Sequence, residues 1–163
     1  MTELERVYEW NALAGTEQHN DVTHFLKECP AIKAAYEFIQ EEFNELQDAI
    51  NENDYTETLD ALGDILVVVA GMCYRLGVNP EEVLKRVNDS NYSKFLPPKN
   101  KRQVDKEYEL LAYRTIAKYK DDPRYSNVEI DAETGVVTGT TKQGNKKILK
   151  GITFKEPKLS DLI

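Results

Sequence analysis

Apolar residues recur at helical spacing through most of residues 1–120, and this periodicity limits the fold more than any other feature of the sequence. Asn79 can cap a helix, Pro80 suits the first helical position, and Gly77 is typical of the end of the preceding helix. Together these signals predict five helices, at about 2–14, 31–50, 56–76, 80 to between 92 and 95, and 101–118. The last of them would carry Val104 on its apolar face.

The pattern changes after residue 122, where short alternating segments replace the helical spacing. Three short strands are predicted, at 127–130, 136–140 and 148–154. The predicted fold class is therefore mainly α, an antiparallel bundle of four or five helices with a small C-terminal extension that contains β-structure. We place the domain boundary after residue 97, which gives a helical core at 1–97 and a helix plus short β-hairpin at 98–163.

Charge and composition exclude several classes of protein. Residues 1–96 contain 7 Lys and Arg against 19 Asp and Glu, whereas residues 97–163 contain 14 against 10. The acidic part would repel a nucleic-acid backbone, and the longest apolar run, at 65–70, is too short for a membrane span. The N-terminus does not resemble a signal peptide, and two cysteines provide no disulfide framework. We therefore expect a soluble, cytoplasmic protein without nucleic-acid or membrane partners.

Two predicted helices, joined by a short polar turn, carry a concentration of carboxylates. Since helices joined in this way run antiparallel, their acidic faces can meet. Spacings of three and four residues place the acids of each helix on shared faces. The six acids are Glu41, Glu42 and Glu45 on the first helix, and Glu57, Asp60 and Asp64 on the second.

Asp64 suggests what these carboxylates do. It lies in a helix that is apolar nearly all round, so we expect that helix to be central and the carboxylate to need a partner. The nearby cations, Lys33 and Arg75, lie at the far ends of the two helices. A divalent metal is the natural compensation, and an all-oxygen ligand set favours Mg²⁺ or Mn²⁺. Such a site suits phosphate-ester or phosphoanhydride hydrolysis, while the alternative is a structural acidic cluster.

The fourth helix ends in a candidate phosphate-binding pair. Asn91 and Lys94 continue the face that carries Leu84 and Val87. An amide and a cation at the end of an apolar face are suitable partners for a phosphate chain. The alternative is an ordinary helix end with a solvated lysine.

These elements together resemble a known superfamily. The segment Glu41-Glu42-Phe-Asn-Glu45, a short turn and an acidic second helix resemble the all-α nucleoside triphosphate pyrophosphohydrolases. That superfamily includes MazG, all-α dUTPases, dCTP pyrophosphatases and phosphoribosyl-ATP pyrophosphohydrolase. Residues 64–77 look like the helix after its final ligand, and Asn91-Tyr-Ser-Lys94-Phe looks like its triphosphate-contacting element. The resemblance covers residues 1–96 and is greatest to single-domain phage and bacterial members.

The resemblance implies roles for individual residues. The implied metal ligands are Glu42, Glu45, Asp60 and Asp64, with Glu41 and Glu57 as accessory or water-activating groups, and the implied catalytic acids are Glu41, Glu42 and Glu45. The family motif Glu-x-x-Asp fits Glu57 and Asp60 literally, but the distance to Gly77 suits Asp64 as the last ligand, so both remain candidates. Tyr8, Trp10 and Asn11 could stack on and hydrogen-bond a base, or form an aromatic staple on the core.

The implied reaction is Mg²⁺- or Mn²⁺-dependent cleavage of a (deoxy)nucleoside triphosphate to the monophosphate and pyrophosphate. A homodimer or homotetramer is implied as well, located in the cytoplasm, or in the host cytoplasm for a viral protein. One alternative is hydrolysis of phosphoribosyl-ATP, which differs only in the substrate. The other is a non-catalytic helical interaction module.

Overall fold

The computed structural model describes residues 1–19, 26–97 and 106–162. Over these residues the chain forms five α-helices, one short 3₁₀-helix at Leu26–Glu28 and three β-strands. The helices are α1 (Glu3–Leu13), α2 (Pro30–Glu52), α3 (Tyr55–Arg75), α4 (Pro80–Tyr92) and α5 (Lys106–Tyr119), and the strands are β1 (Tyr125–Ile130), β2 (Val137–Thr141) and β3 (Lys146–Ile148). The predicted mainly α fold class is confirmed. The predicted start of the fifth helix, with Val104, lies outside the described residues.

Local side chains set the ends of the helices. Thr2 and Glu5 form a capping box at the start of α1. Asp54 accepts a hydrogen bond from the Glu57 backbone N–H at the start of α3. Asn79 does the same for the N–H of Glu81 at the start of α4, which confirms the predicted cap.

By their internal contacts, the residues divide into two compact units. The helical unit comprises Met1–Lys85 and Leu159–Ile163, and the C-terminal unit comprises Arg86–Lys158. The division falls within α4. The domain assignment made from the sequence, with its boundary after residue 97, stays a prediction, because compact units need not coincide with separately functioning domains.

In the helical unit, α3 packs against α2 and α1 through small residues. The buried side chains at these contacts include Ala35 and Ala49 of α2 and Ala61 and Ala70 of α3. Small side chains allow the helix axes to approach closely. Only Asn53 and Asp54 separate α2 from α3, so the two helices form an antiparallel hairpin.

The expectation that α3 is buried on all sides is wrong for the single chain. Leu59, Leu62 and Leu66 are exposed, Leu66 to 62%. Because only one side of α3 packs against α1 and α2, its opposite side has no covering element within the helical unit. No single helix in the described parts of the chain is long and apolar enough to cross a membrane, and α3 and α4 reach that size only when counted together across a break.

The C-terminal unit is a three-stranded antiparallel sheet in the order β1-β2-β3, with α5 packed on β1. Its core consists of five buried side chains, namely Leu96, Tyr108, Tyr119, Val137 and Leu149. Gly139 lets Leu149 pack closely on β2, because a Cβ there would lie 2.7 Å from the Leu149 side chain.

The third predicted strand, at 148–154, is wrong in its bounds. β3 ends at Ile148, and after Leu149 donates its N–H to the carbonyl of Val137 the chain leaves the sheet. The reason is a competing partner, since the N–H of Gly151 donates to the carbonyl of Lys94 instead of to a strand.

Candidate active site

The α2–α3 hairpin gathers carboxylates around Glu42. The pKa of Glu42 is raised above its usual value, first by burial and then by the charges of neighbouring acids. Those acids are Glu45, Asp64, Glu41 and Asp60, in decreasing order of effect. Five of the six carboxylates singled out from the sequence are therefore close enough to interact.

Glu42 also contains an unpaired oxygen. Its Oε2 atom is buried and has no hydrogen-bond partner, the only side-chain oxygen or nitrogen in this condition within the described residues. A buried carboxylate oxygen without a donor is costly unless the group is protonated or a cation binds it. No Lys or Arg contributes to the shift in its pKa.

Glu57 lies apart from this group. Its backbone N–H binds the capping side chain of Asp54 in the first turn of α3, and its charge is not among those that raise the pKa of Glu42. Asp64, by contrast, acts on Glu42. The expectation that Asp64 enters the core is nevertheless wrong, because this residue is exposed. The buried carboxylate oxygen of the hairpin belongs to Glu42 instead.

The chemistry of these residues fits a hard divalent cation. The available donors are carboxylate oxygens, which Mg²⁺ and Mn²⁺ prefer, and one of them is buried without a partner. In the described parts of the chain, however, no three acidic, histidine or cysteine side chains converge closely enough to hold a metal ion as they stand. Mutual repulsion opposes such convergence in the absence of a cation, so the residue types fit a metal although a closed cage is not preformed.

A second feature of the helical unit is a small cavity beside α1. It has a volume of about 190 Å³ and is lined by Trp10, Asn11, Ala35, Phe38, Val67, Val68, Gly71 and Arg75. The Asn11 side chain is 3% exposed and donates to the carbonyl of Val7. The Arg75 guanidinium makes one long contact, 3.5 Å, with the carbonyl of Gly71. The cavity therefore combines aromatic walls with an amide and a cation.

Of the cavity residues, only Trp10 and Asn11 were named as candidates from the sequence. Among the others, Phe38 lies one helical turn before Glu41 and Glu42, and an aromatic residue at that spacing from the acidic residues is a signal that could have been noticed. Arg75 gives no such signal, because its place in the cavity depends on the packing of α1 against α3.

Tyr8 does not line this cavity. Its ring packs edge-on against Tyr74, with centroids 4.6 Å apart, and its hydroxyl accepts a hydrogen bond from Gln18. These contacts are those of an aromatic packed on the core, while its predicted contact with a base stays a prediction.

Asn91 and Lys94 meet at the end of α4, in the C-terminal unit. The Lys94 Nζ donates to the Asn91 Oδ1 at 2.6 Å. Asn91 is exposed and Lys94 is partly buried. The pair thus presents an ammonium group and an amide side by side, as the spacing in the sequence predicts.

The family model for phosphoribosyl-ATP pyrophosphohydrolase matches residues 9–91, just over half of the chain. The chain belongs to this family. It is thereby a member of the MazG-like all-α nucleoside triphosphate pyrophosphohydrolase superfamily, which confirms the resemblance. The pyrophosphohydrolase match includes all six hairpin carboxylates and Asn91.

A relative of this chain is an uncharacterized protein, L479, of Acanthamoeba polyphaga mimivirus. The two are 33% identical over 124 residues, which cover 74% of this chain and 48% of the viral protein. The chain thus spans about half the length of the curated relative that it matches. No solved structure matches it significantly.

Proposed function

We propose that this member of the family is a metal-dependent nucleotide pyrophosphohydrolase that cleaves a (deoxy)nucleoside triphosphate to the monophosphate and pyrophosphate. The family supports the general type of activity. The observation that carries the proposal is the buried, unpaired Oε2 of Glu42, which lies among interacting carboxylates inside the matched segment. An anionic cluster of this kind can accept a phosphate substrate only when cations offset its charge.

In this proposal Glu42, Glu45, Asp60 and Asp64 hold Mg²⁺ or Mn²⁺. When bound, the metal supplies charge neutralisation for the phosphates and a water of lowered pKa. Glu41 and Glu57 are exposed and are the proposed acceptors of the proton from the attacking water. Glu57 is the weaker candidate of the two, because it lies apart from the group around Glu42.

The proposed substrate contacts lie in two places. Asn91 and Lys94 bind phosphate oxygens through the amide N–H groups of Asn91 and the ammonium of Lys94, which already donates to the Asn91 Oδ1. Trp10 and Asn11 contact the base at the cavity beside α1, where Phe38 and Arg75 add an aromatic wall and a further donor. Tyr8, whose ring packs on Tyr74, is the third proposed contact of the base.

The proposed assembly is a homodimer or homotetramer. On α3 the exposed residues Leu59, Leu62, Leu66 and Val69 follow alternating spacings of three and four, and on α2 Tyr36, Phe43 and Ile50 are exposed at spacings of seven. Stripes of this spacing are typical of helices that pack against other helices. Since the helical unit leaves them uncovered, a second copy of the hairpin is the proposed cover. A cytoplasmic location, where nucleotides are available, belongs to the same proposal.

The decisive experiment is a product assay. The protein is incubated with each NTP and dNTP, with Mg²⁺ or with a chelator, and the products are separated by ion exchange. Monophosphate and pyrophosphate, formed only with metal and lost in Glu42→Gln, support the proposal. A matched control is Glu37→Gln, an exposed glutamate of α2 whose charge does not act on Glu42. Diphosphate and phosphate as products would contradict it.

Phosphoribosyl-ATP is the second candidate substrate, because the description of the matching family refers to it. It is added to the same assay. Its hydrolysis in preference to every triphosphate would replace the proposed substrate without changing the carboxylate site. No turnover of any of these compounds would leave a non-catalytic interaction module as the better explanation.

A further inference from the structure

The end of α4 is held by a segment that lies about sixty residues later in the chain. Backbone carbonyls just beyond the end of a helix need partners from elsewhere in the chain. Here residues 151–155, which we call the strap, supply two donors for the three successive carbonyls that follow α4. The Thr153 hydroxyl lies 3.3 Å from the Ser93 oxygen and 3.2 Å from the Phe95 oxygen, and the Gly151 N–H donates to the Lys94 oxygen at 2.8 Å.

Serine side chains of α4 make a second set of bonds to the strap. The Lys155 N–H donates to the Ser93 hydroxyl at 2.9 Å, and the Ser90 hydroxyl donates to the Lys155 carbonyl at 2.8 Å. Ser90 is buried. The strap is therefore bound to α4 on both sides of Asn91 in sequence, by side chains as well as by the backbone.

Two glycines allow backbone to approach backbone at this point. A Cβ on Gly151 would lie 2.7 Å from the Lys94 oxygen. A Cβ on Gly135, which has a φ of +72°, would lie 1.8 Å from the Leu96 oxygen, while the Leu96 N–H donates to the Gly135 oxygen. No larger residue fits either position without a shift of the main chain. Residues 94–96 are thus fixed from two directions.

From these contacts we infer that the strap positions Asn91 and Lys94 for phosphate binding, with Thr153 as the main positioning residue. The inference rests on the proposed function, which assigns phosphate contact to Asn91 and Lys94. A frayed helix end would leave the Lys94 ammonium in many orientations. A fixed helix end holds the Lys94 ammonium beside the Asn91 amide in a single arrangement. Less conformational entropy is therefore lost when a phosphate binds.

Thr153→Val tests the inference because it keeps the shape of the side chain and removes its donor. We expect the KM for the triphosphate to rise about three- to tenfold, as befits the loss of one hydrogen bond, with kcat nearly unchanged. Binding of inorganic triphosphate with Mg²⁺, measured by calorimetry, should weaken by the same factor. The matched control is Thr138→Val in β2, where the hydroxyl makes no hydrogen bond with any described residue.

A double-mutant comparison with Lys94 distinguishes a positioning role of Thr153 from a general contribution to the stability of the fold. In a Lys94→Ala background, Thr153→Val should raise KM no further, because the group that it positions is gone. Additive effects, or a KM and a triphosphate affinity like those of the wild type, would overturn the positioning role. Should Thr153→Val fail to fold, Ser93→Ala removes the bond to Lys155 and is judged by the same coupling.

The two proposals can fail separately. If the wild type hydrolyses no nucleotide but binds inorganic triphosphate, the proposed function is overturned and the loss of triphosphate affinity in Thr153→Val decides the inference. If it does neither, both are overturned.

Discussion

At the scale of single residues, Glu42 is the acid of the α2–α3 hairpin whose ionisation is opposed by burial and by neighbouring charges. Its pKa is raised chiefly by burial and further by four neighbouring carboxylates. For an acid whose pKa is higher in the folded chain, stability is undiminished below the ordinary pKa, here 4.5. It declines as the pH rises through the folded pKa, because the folded chain then holds a charge that the unfolded chain accommodates more easily.

Glu42→Gln is therefore expected to raise the Tm of the metal-free protein at neutral pH, by removing that charge. The gain should disappear near pH 4, where both forms are uncharged at this position. Mg²⁺ should raise the Tm of the wild type but not of the variant, because a ligand that binds only the folded state stabilises it. Thermal unfolding with and without chelator between pH 4 and 8 measures both effects. Glu37→Gln should behave as the wild type, and an equal response to Mg²⁺ in Glu42→Gln would contradict the proposed ligand role.

Trp10→Ala tests the cavity beside α1. Trp10 is 63% exposed, so its removal should change the stability of the fold little. Loss of stacking on a base should raise the KM for a nucleotide about tenfold, while binding of inorganic triphosphate stays unchanged. Steady-state kinetics and calorimetry give the two values. Leu13→Ala, at a residue of α1 that is 82% exposed and does not line the cavity, is the control.

Sequence spacing predicted which carboxylates interact but not which one is buried. Neighbours at three and four residues on a helix follow from helical geometry alone, so the grouping of Glu41, Glu42 and Glu45 was accessible. Burial depends on what packs against each face. For that reason Asp64 was expected in the core and is exposed, and Arg75 was not connected with the cavity.

At the scale of elements, helix starts were predictable because their signals are local. Thr2 and Asn79 bind backbone groups two or three residues away. The end of β3 was not predictable, because the apolar residues at 148–154 suit a strand. Their actual partners are the carbonyls at the end of α4, which no local pattern reveals.

The connection between α5 and β1 gives a prediction for acid conditions. The Asp122 carboxylate accepts hydrogen bonds from the Arg124 side chain and backbone, which lower its pKa to about 2. For an acid with a lowered pKa, the stabilisation is fully present above the ordinary value of 3.8 and is lost as the pH falls towards 2. Asp122→Asn should therefore lower the Tm at pH 7 by more than at pH 3.

Asp121→Asn is the matched control for this effect. Asp121 is the exposed neighbour of Asp122 in sequence and makes no hydrogen bond with any described residue. Thermal unfolding of the two variants and the wild type across this range of pH measures the difference. A gap between Asp122→Asn and the wild type that stays constant down to pH 2.5 would contradict the assignment.

At the scale of the whole molecule, the exposed stripes of α2 and α3 explain why a central helix was expected. The sequence of α3 is apolar on most sides, as a buried helix requires, yet a single chain covers only one of them. A hydrophobic pattern indicates that a helix face is buried. It does not indicate whether the same chain or another molecule covers that face. The mismatch is what an interface between copies would produce.

Leu66→Lys tests this assembly. In an isolated chain a lysine at a 62% exposed position should be neutral or stabilising. In a dimer it would bury a charge without a partner, so we expect dissociation to monomers and a lower Tm. Analytical ultracentrifugation over a range of protein concentration measures the mass. Leu13→Lys is the control, and a wild type that is monomeric at all concentrations would contradict the proposed dimer.

The order of residues along the chain gives the strap a further consequence during synthesis. The acidic hairpin joins neighbours in sequence and can close as soon as α3 has left the ribosome. The end of α4 must wait for residues some sixty positions later. A nascent chain thus gathers its carboxylates before it can fix Lys94, and a message cut short after α5 would encode a protein with the acidic cluster but without the strap.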